Sequence, residues 1–150
     1  MKPLVFEQSC DVTCPADKLF RWHEAPDAFH KLMPPGEPVT VLHHDGHIHD
    51  GARAVLLVGR WPFRIRWELM HRDYRPGELF CDEQVKGPFV SYRHEHRFTP
   101  LTSRSCRLTD RIMFVLPGGW PGNKLGAPII MAKFRRLFAY RHRVTREAFA

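Results

Sequence analysis

Residues 125–149, LGAPIIMAKFRRLFAYRHRVTREAF, hold no glycine or proline beyond Gly126 and Pro128. Ile130, Phe134, Leu137, Phe138, Arg141 and Val144 recur three and four residues apart, the repeat of one helix face. Another face carries Lys133, Arg136, Arg143 and Arg146. The stretch predicts one long amphipathic helix, and everything upstream has to be read as what that helix packs on.

Upstream the pattern changes to strands. Phe63, Ile65, Trp67 and Leu69 alternate with Arg64, Arg66, Glu68 and Met70, the period of a half-solvated antiparallel strand. Further strands are predicted at 38–43, 53–60, 78–86, 89–98 and 105–116, separated by Asp45–Gly46, Pro76–Gly77, Gly87–Pro88 and Pro100. Residues 4–12 form a first strand. Pro15, tolerated in a first helical turn, opens a short helix, and residues 27–33 give a second before Pro34–Pro35–Gly36. The expected class is α+β: a curved antiparallel sheet of about seven strands wrapped on a long C-terminal helix, with two short helices after strand one. A sheet exposed on one face must cover the other. One helix is too narrow to fill so wide a concavity, so the expectation is an elongated hollow between sheet and helix.

Composition narrows the class. The chain has 150 residues, read as a single domain over 1–150. With 43% hydrophobic and 26% charged residues it is neither a disordered chain nor a disulfide miniprotein. No apolar run approaches the ~20 residues of a membrane span. The N-terminal MKPLVFEQSCDV lacks the apolar stretch of a secretory signal, so a cytoplasmic location is expected. Cys10, Cys14, Cys81 and Cys106 form no CxxC pair and read as reduced, buried thiols. Lys+Arg 23 against Asp+Glu 16 gives a formal charge of +7, which suits anionic partners.

The order of elements resembles the helix-grip fold of the START-like (SRPBCC) superfamily of polyketide cyclases, lipid-transfer domains and plant hormone-binding proteins. The resemblance is carried by VFEQSCDVTCPADKLFRW near the start, FCDEQVKGPFVSYRHEHRF at 80–98, LTDRIMFVLPGG at 108–119 and FAYRHRVTREAF in the terminal helix. The run F-x-D-x-Q, GPF and H-x-H-x-F looks like a bacterial ligand-binding branch. The superfamily hosts carriers, sensors and enzymes, so the fold alone leaves these open.

Strand alternation selects the inward side chains. Val90, Tyr92, His94, His96 and Phe98 share one face of 89–98, with Ser91, Arg93, Glu95 and Arg97 on the other. Phe80, Asp82 and Gln84, then Leu108, Asp110, Ile112 and Phe114, follow the same logic. Neighbouring strands would bring Asp82, Gln84, His94, His96 and Asp110 together. Inward polar groups need partners. A self-satisfied His–Asp network, an anchor for a polar ligand head and an acid–base pair all fit. A metal held by His94, His96 and Asp110 lacks a fixed third ligand, and no metal or other cofactor is expected. HHDGHIHD at 43–50 reads as a polar hairpin turn around Asp45–Gly46. Neither GxSxG nor GxxxxGK[ST] occurs. PGGWPG at 117–122 resembles the loop before the long helix, with Trp120 a packed loop aromatic or a gate.

The expected function is binding of a small hydrophobic or amphipathic molecule, as carrier or sensor. Phe63, Trp67, Phe114, Ile130, Phe134 and Phe138 would enclose it, and His94, His96 or Asp110 would orient its polar end. Asp82, Gln84, Tyr92 and Phe98 complete the candidate lining. The alternatives are a cyclase- or dehydratase-type enzyme with a His/Asp proton shuttle, and an interaction module without ligand. The arginines of the terminal helix suit transient contact with an anionic membrane surface. That helix is committed to the sheet, so no nucleic acid is expected. The chain is expected to be a monomer or homodimer.

Overall fold

Seven strands run in the spatial order β1-β7-β6-β5-β4-β3-β2, all neighbours antiparallel. The computed structural model describes residues 1–150. β1 is Leu4–Val12, followed by α1 (Ala16–Glu24) and α2 (Ala28–Lys31). β2 (Val39–His44), β3 (Arg53–Val58), β4 (Ile65–Arg75), β5 (Leu79–Lys86), β6 (Ser91–Thr102) and β7 (Ser105–Val115) follow as a meander, and α3 spans Gly119–Ala148. Short connections make consecutive strands neighbours. The two helices after β1 carry the chain to the opposite edge, so β1 pairs with β7, Phe6 opposite Ile112. This is the helix-grip architecture, and no helix is long and apolar enough to cross a membrane.

Several boundaries differ from the sequence reading, β6 for one running through Pro100 to Thr102. β4 begins at Ile65 rather than Phe63. Gly59 adopts φ +100 and Phe63 N–H bonds the Arg60 carbonyl at 2.7 Å, so residues 59–63 form a turn and the apolar alternation extends past the strand. α3 starts at Gly119, six residues before the quoted stretch. Its first turn tolerates Pro121 because N–H groups there have no intrahelical acceptor. Gly122 lies so close to the Pro117 carbonyl that a Cβ would sit 1.9 Å from its oxygen. β6 begins at Ser91, leaving Val90 outside the strand and exposed.

The expected hollow under α3 is mostly filled. Phe6, Ile112, Phe114, Leu116, Phe134 and Phe138 form one buried cluster between β1, β7 and α3. The ring centroids of Phe6 and Phe134, and of Phe6 and Phe138, are 5.5 Å apart, and those of Phe114 and Phe134 5.4 Å. Aromatic side chains are large enough to span the gap that the helix backbone leaves. A second cluster under α1 joins Leu19 and Phe20 to Val12, Phe80, Phe98, Leu108 and the buried thiols Cys10, Cys14 and Cys106. Each fully buried side chain of this size stabilises the fold by roughly 1.5–3 kcal/mol. Open space remains between these clusters and strands β2–β5.

Candidate functional site

Strand register assembles a charged network on the inner face. His71 of β4 lies opposite Asp82 of β5, Asp82 opposite His94 of β6, and His96 opposite Asp110 of β7. α3 adds His142, four residues after Phe138 on the same helical face. His96 Nε2 donates to Asp82 Oδ2 at 2.8 Å, and its Nδ1 lies 3.1 Å from Asp110 Oδ1. Asp110 also accepts from His94 Nε2 at 2.8 Å and His142 Nε2 at 2.6 Å. His71 Nδ1 is 2.8 Å from Asp82 Oδ1 but off the line of its N–H, so that contact is chiefly electrostatic. His71, His94, His96, His142 and Asp110 are all buried.

The geometry assigns the protons. Both ring nitrogens of His96 face carboxylates, which only an imidazolium satisfies, because a neutral ring would turn a lone pair on one of them. Burial opposes its charge, but the bonds to Asp110 and Asp82 outweigh that and raise His96 to about 9. His142 is raised to about 9 in the same way, burial being overridden by Asp110. Burial, reinforced by the neighbouring His96 charge, lowers His94 to about 4, so it stays neutral. Burial pushes both carboxyls up, yet the histidines hold Asp82 and Asp110 well below the usual range. Two carboxylates and two imidazoliums thus cancel. Donor atoms of Asp82, His94 and His96 converge within 4.8 Å, a spacing open to a metal; His96 bonds Asp82 there, while His94 Nε2 turns to Asp110.

The network's edge opens on a cavity of about 100 Å³. Phe29 and Leu32 from the α1–α2 segment, Leu56 and Leu69 from β3 and β4, and Phe80 from β5 form its apolar wall. Asp82, His96 and His71 form its polar floor, with His23 and His44 nearby. His71 turns Nδ1 toward Asp82, leaving Nε2, which has no protein partner, as the ring nitrogen available at the cavity. Burial lowers His23 to about 4, and its Nδ1 is held at 2.9 Å from the Leu19 carbonyl. Arg141 of α3 reaches the same cavity. Its Nε donates to the Leu32 carbonyl at 3.2 Å, its guanidinium carbon sits 5.3 Å from the Phe138 ring centroid, and no carboxylate lies within ion-pair distance. Burial works against its charge, but a guanidinium keeps its proton in proteins. Glu24, the other carboxylate on the wall, accepts the Tyr74 hydroxyl.

The structure divides the residues singled out from sequence. Asp82, His94, His96 and Asp110 come together. Gln84 does not join them: its Nε2 donates to the Phe89 carbonyl at 2.7 Å and its Oε1 accepts from Phe89 N at 3.2 Å, clamping the β5–β6 turn. Trp67 and Tyr92 pack together at 4.9 Å with Phe89, the Trp67 Nε1 buried without a partner. Phe98, Phe114, Phe134 and Phe138 are packed core, and Ile130 is half-buried against them; none borders the cavity. Phe63 is 85% exposed in the β3–β4 turn and faces solvent. The cavity is therefore smaller than the ~300–1,000 Å³ of typical ligand sites. It also lies beneath α1–α2, away from the middle of α3. The 43–50 segment is a capped turn: Asp45 accepts from His43 at 2.6 Å and from Arg53 N at 2.8 Å, while His49 stacks on Tyr74 at 4.3 Å.

Sequence reasoning missed His71, His142 and Arg141 as inner residues. His71 continues the alternation of Trp67 and Leu69 by one more step, and His142 continues the Phe134–Phe138 spacing of four. Both signals were there to follow. Arg141 was legible as a position on the apolar helix face, but its reach to the Leu32 carbonyl depends on where α2 docks.

Residues 3–140 match the family model described as polyketide cyclase/dehydrase and lipid transport. No curated protein matches the chain significantly in sequence. Among solved structures, the Zhui aromatase/cyclase from Streptomyces sp. R1128 is similar at TM-score 0.73 and 16% identity, covering 97% of this chain and 93% of that one. Norcoclaurine synthase from Thalictrum flavum gives 0.73 and 15%, covering 97% and 86%. A START superfamily protein from Mycobacterium smegmatis gives 0.68 and 13%, covering 97% and 96%. At such identities the likeness speaks for the fold.

Proposed function

The chain belongs to the polyketide cyclase/dehydrase and lipid transport family, of the START-like (SRPBCC) superfamily, and on that premise we propose that it binds a small amphipathic molecule in the cavity beneath α1 and α2. The apolar body of the ligand lies against Phe29, Leu32, Leu56 and Leu69. Its polar end, an anionic or strongly polarised oxygen, meets Arg141 and His71. The observation that carries this reading is Arg141: a half-buried cation at the cavity with no carboxylate in contact, Glu24 being taken by the Tyr74 hydroxyl and Asp82 by histidines. In the His–Asp network beside it Asp82 and Asp110 are paired with histidines, and neither carboxylate contacts Arg141. A ligand oxyanion there gains a charge-assisted hydrogen bond in a low-dielectric setting.

The test is a matched pair of small probes, benzoate and benzamide, titrated by calorimetry and amide chemical shifts. Benzoate is expected to bind at least tenfold more tightly, with shifts in α1, α2 and β3, and Arg141→Gln to remove that preference. Equal affinities that Arg141→Gln leaves unchanged would refute the anchor, and absence of binding by both would refute the cavity reading.

A second reading is favoured by the His71–Asp82 pair. A carboxylate beside Nδ1, 2.8 Å away though off the line of its N–H, and an Nε2 without a protein partner at a cavity are the groups a proton transfer would use. In a cyclase- or dehydrase-type reaction, Nε2 would take a proton from the carbon next to a carbonyl held by Arg141 and return it to the departing β-hydroxyl, which leaves as water while the C=C bond forms. Dehydration of a small aromatic β-hydroxyketone, followed by enone absorbance, should then vanish in His71→Ala while benzoate still binds. Turnover indifferent to that substitution, or none in the unmodified protein, leaves the binding reading alone.

A further inference from the structure

The end of the sheet where β3 turns into β4, β5 into β6 and β7 into α3 has a composition unlike the rest of the surface. Val58 pairs with Ile65, Ser91 with Val115 and Leu4 with Phe114, so these three turns and the N-terminal residues share one rim. Large apolar side chains project there: Trp61 is 79% exposed, Phe63 85%, Val90 66%, Trp120 68% and Leu125 75%. Lys2, Arg60, Arg64, Lys86 and Lys124 stand among them, all exposed and none within ion-pair distance of a carboxylate. The segments 59–66, 84–92 and 116–133 contain no Asp or Glu. The turns are held firmly beneath: Gln84 clamps Phe89, Phe89 packs on Trp67 and Phe114, and Asn123 Oδ1 accepts from Leu116 N at 3.0 Å. Exposed aromatics on well-held turns are not needed for folding, and large apolar side chains gathered at one exposed end of a sheet mark an interaction surface.

We propose that this rim docks on an anionic lipid surface, with Trp61, Phe63 and Trp120 entering the headgroup layer and the basic side chains meeting lipid phosphates. Two features select a lipid surface over a protein. Apolar tips carried on separate turns enter an interface individually, without a complementary groove. Five basic side chains without carboxylate partners outweigh Glu37, the acid beside Pro38 at this end of the sheet, and that positive excess matches a surface of uniform negative charge. Each Lys or Arg near such a surface strengthens binding about fivefold. Lys124 lies over the Trp120 ring at 5.9 Å, the charged head beside the aromatic body that an interfacial pair requires. The terminal-helix arginines suggested by sequence, Arg135 and Arg136 among them, lie outside this rim. The inference is independent of what the cavity binds.

Co-sedimentation with vesicles of phosphatidylcholine, alone or with roughly one third phosphatidylglycerol, tests it on the intact chain. Binding to the anionic vesicles only is expected, with a blue shift of tryptophan emission. The pair Arg60→Gln/Arg64→Gln and the pair Trp61→Ser/Phe63→Ser should each weaken it at least tenfold with melting temperature unchanged. Arg135→Gln/Arg136→Gln should leave it intact. Failure to bind, equal binding to both vesicles, or loss only in the Arg135/Arg136 variant would overturn the proposal. So would a concentration-dependent dimer that Trp61→Ser/Phe63→Ser dissolves while vesicles are ignored, which would make the rim a protein interface.

Discussion

Asp110 is surrounded on its carboxylate by three imidazoles, from β6 and α3. Removing a charge from a buried paired set leaves the others uncompensated, so Asp110→Asn should cost about 3–5 kcal/mol in urea unfolding. A loss below 1 kcal/mol would mean the network is not formed as described. The raised groups fix the pH response. His96 and His142 hold protons in the folded state up to about 9 but only to 6.5 when unfolded. Their stabilisation is complete below 6.5 and is lost as pH rises through 9. On the acid side, His94 and His23 are buried neutral with values near 4, so stability also falls as pH drops below 6.5. The depressed Asp82 and Asp110 add to that loss at lower pH still. The melting temperature should peak near 6.5 and decline toward 9; a flat profile between those values would contradict the proton assignment.

At the scale of elements, α3 acts as a plug as much as a cover. Phe134 and Phe138 project from it into the space that a bare helix would leave open, so Phe138→Ala should cost about 3–5 kcal/mol. Phe63→Ala, in an exposed turn, should stay within roughly 0.5 kcal/mol of the unmodified protein. Comparable losses from the two would overturn the placement of β4. The contrast shows what the sequence makes legible. Strand order, the two short helices and the inward face of β5–β7 follow from period-2 alternation and turn residues, and Asp82, His94, His96 and Asp110 met as that alternation required. Phe63 kept the alternation for a residue pair beyond the strand, because periodicity alone carries no marker of where a turn ends. Filling depth is likewise illegible. Whether Phe134 and Phe138 line a hollow or close it depends on helix-to-sheet distance, which no local pattern encodes.

For the whole molecule, two regions divide the surface's chemical character: an inner charged network bordering a small apolar hollow beneath α1–α2, and a basic, aromatic rim at the end of the sheet. The first rests on the pairing of Asp82 and Asp110 with His96 and His142, beside which Arg141 stands at the hollow with no carboxylate in contact. Function on this account requires the hollow to stay open. Ala54 of β3 lies on its wall, so Ala54→Leu places extra carbon in the space without touching the network. The most direct measurement is therefore benzoate affinity of Ala54→Leu beside its melting temperature. The account predicts binding reduced at least tenfold in a protein that melts as before or higher; undiminished binding in that folded variant would place the ligand elsewhere.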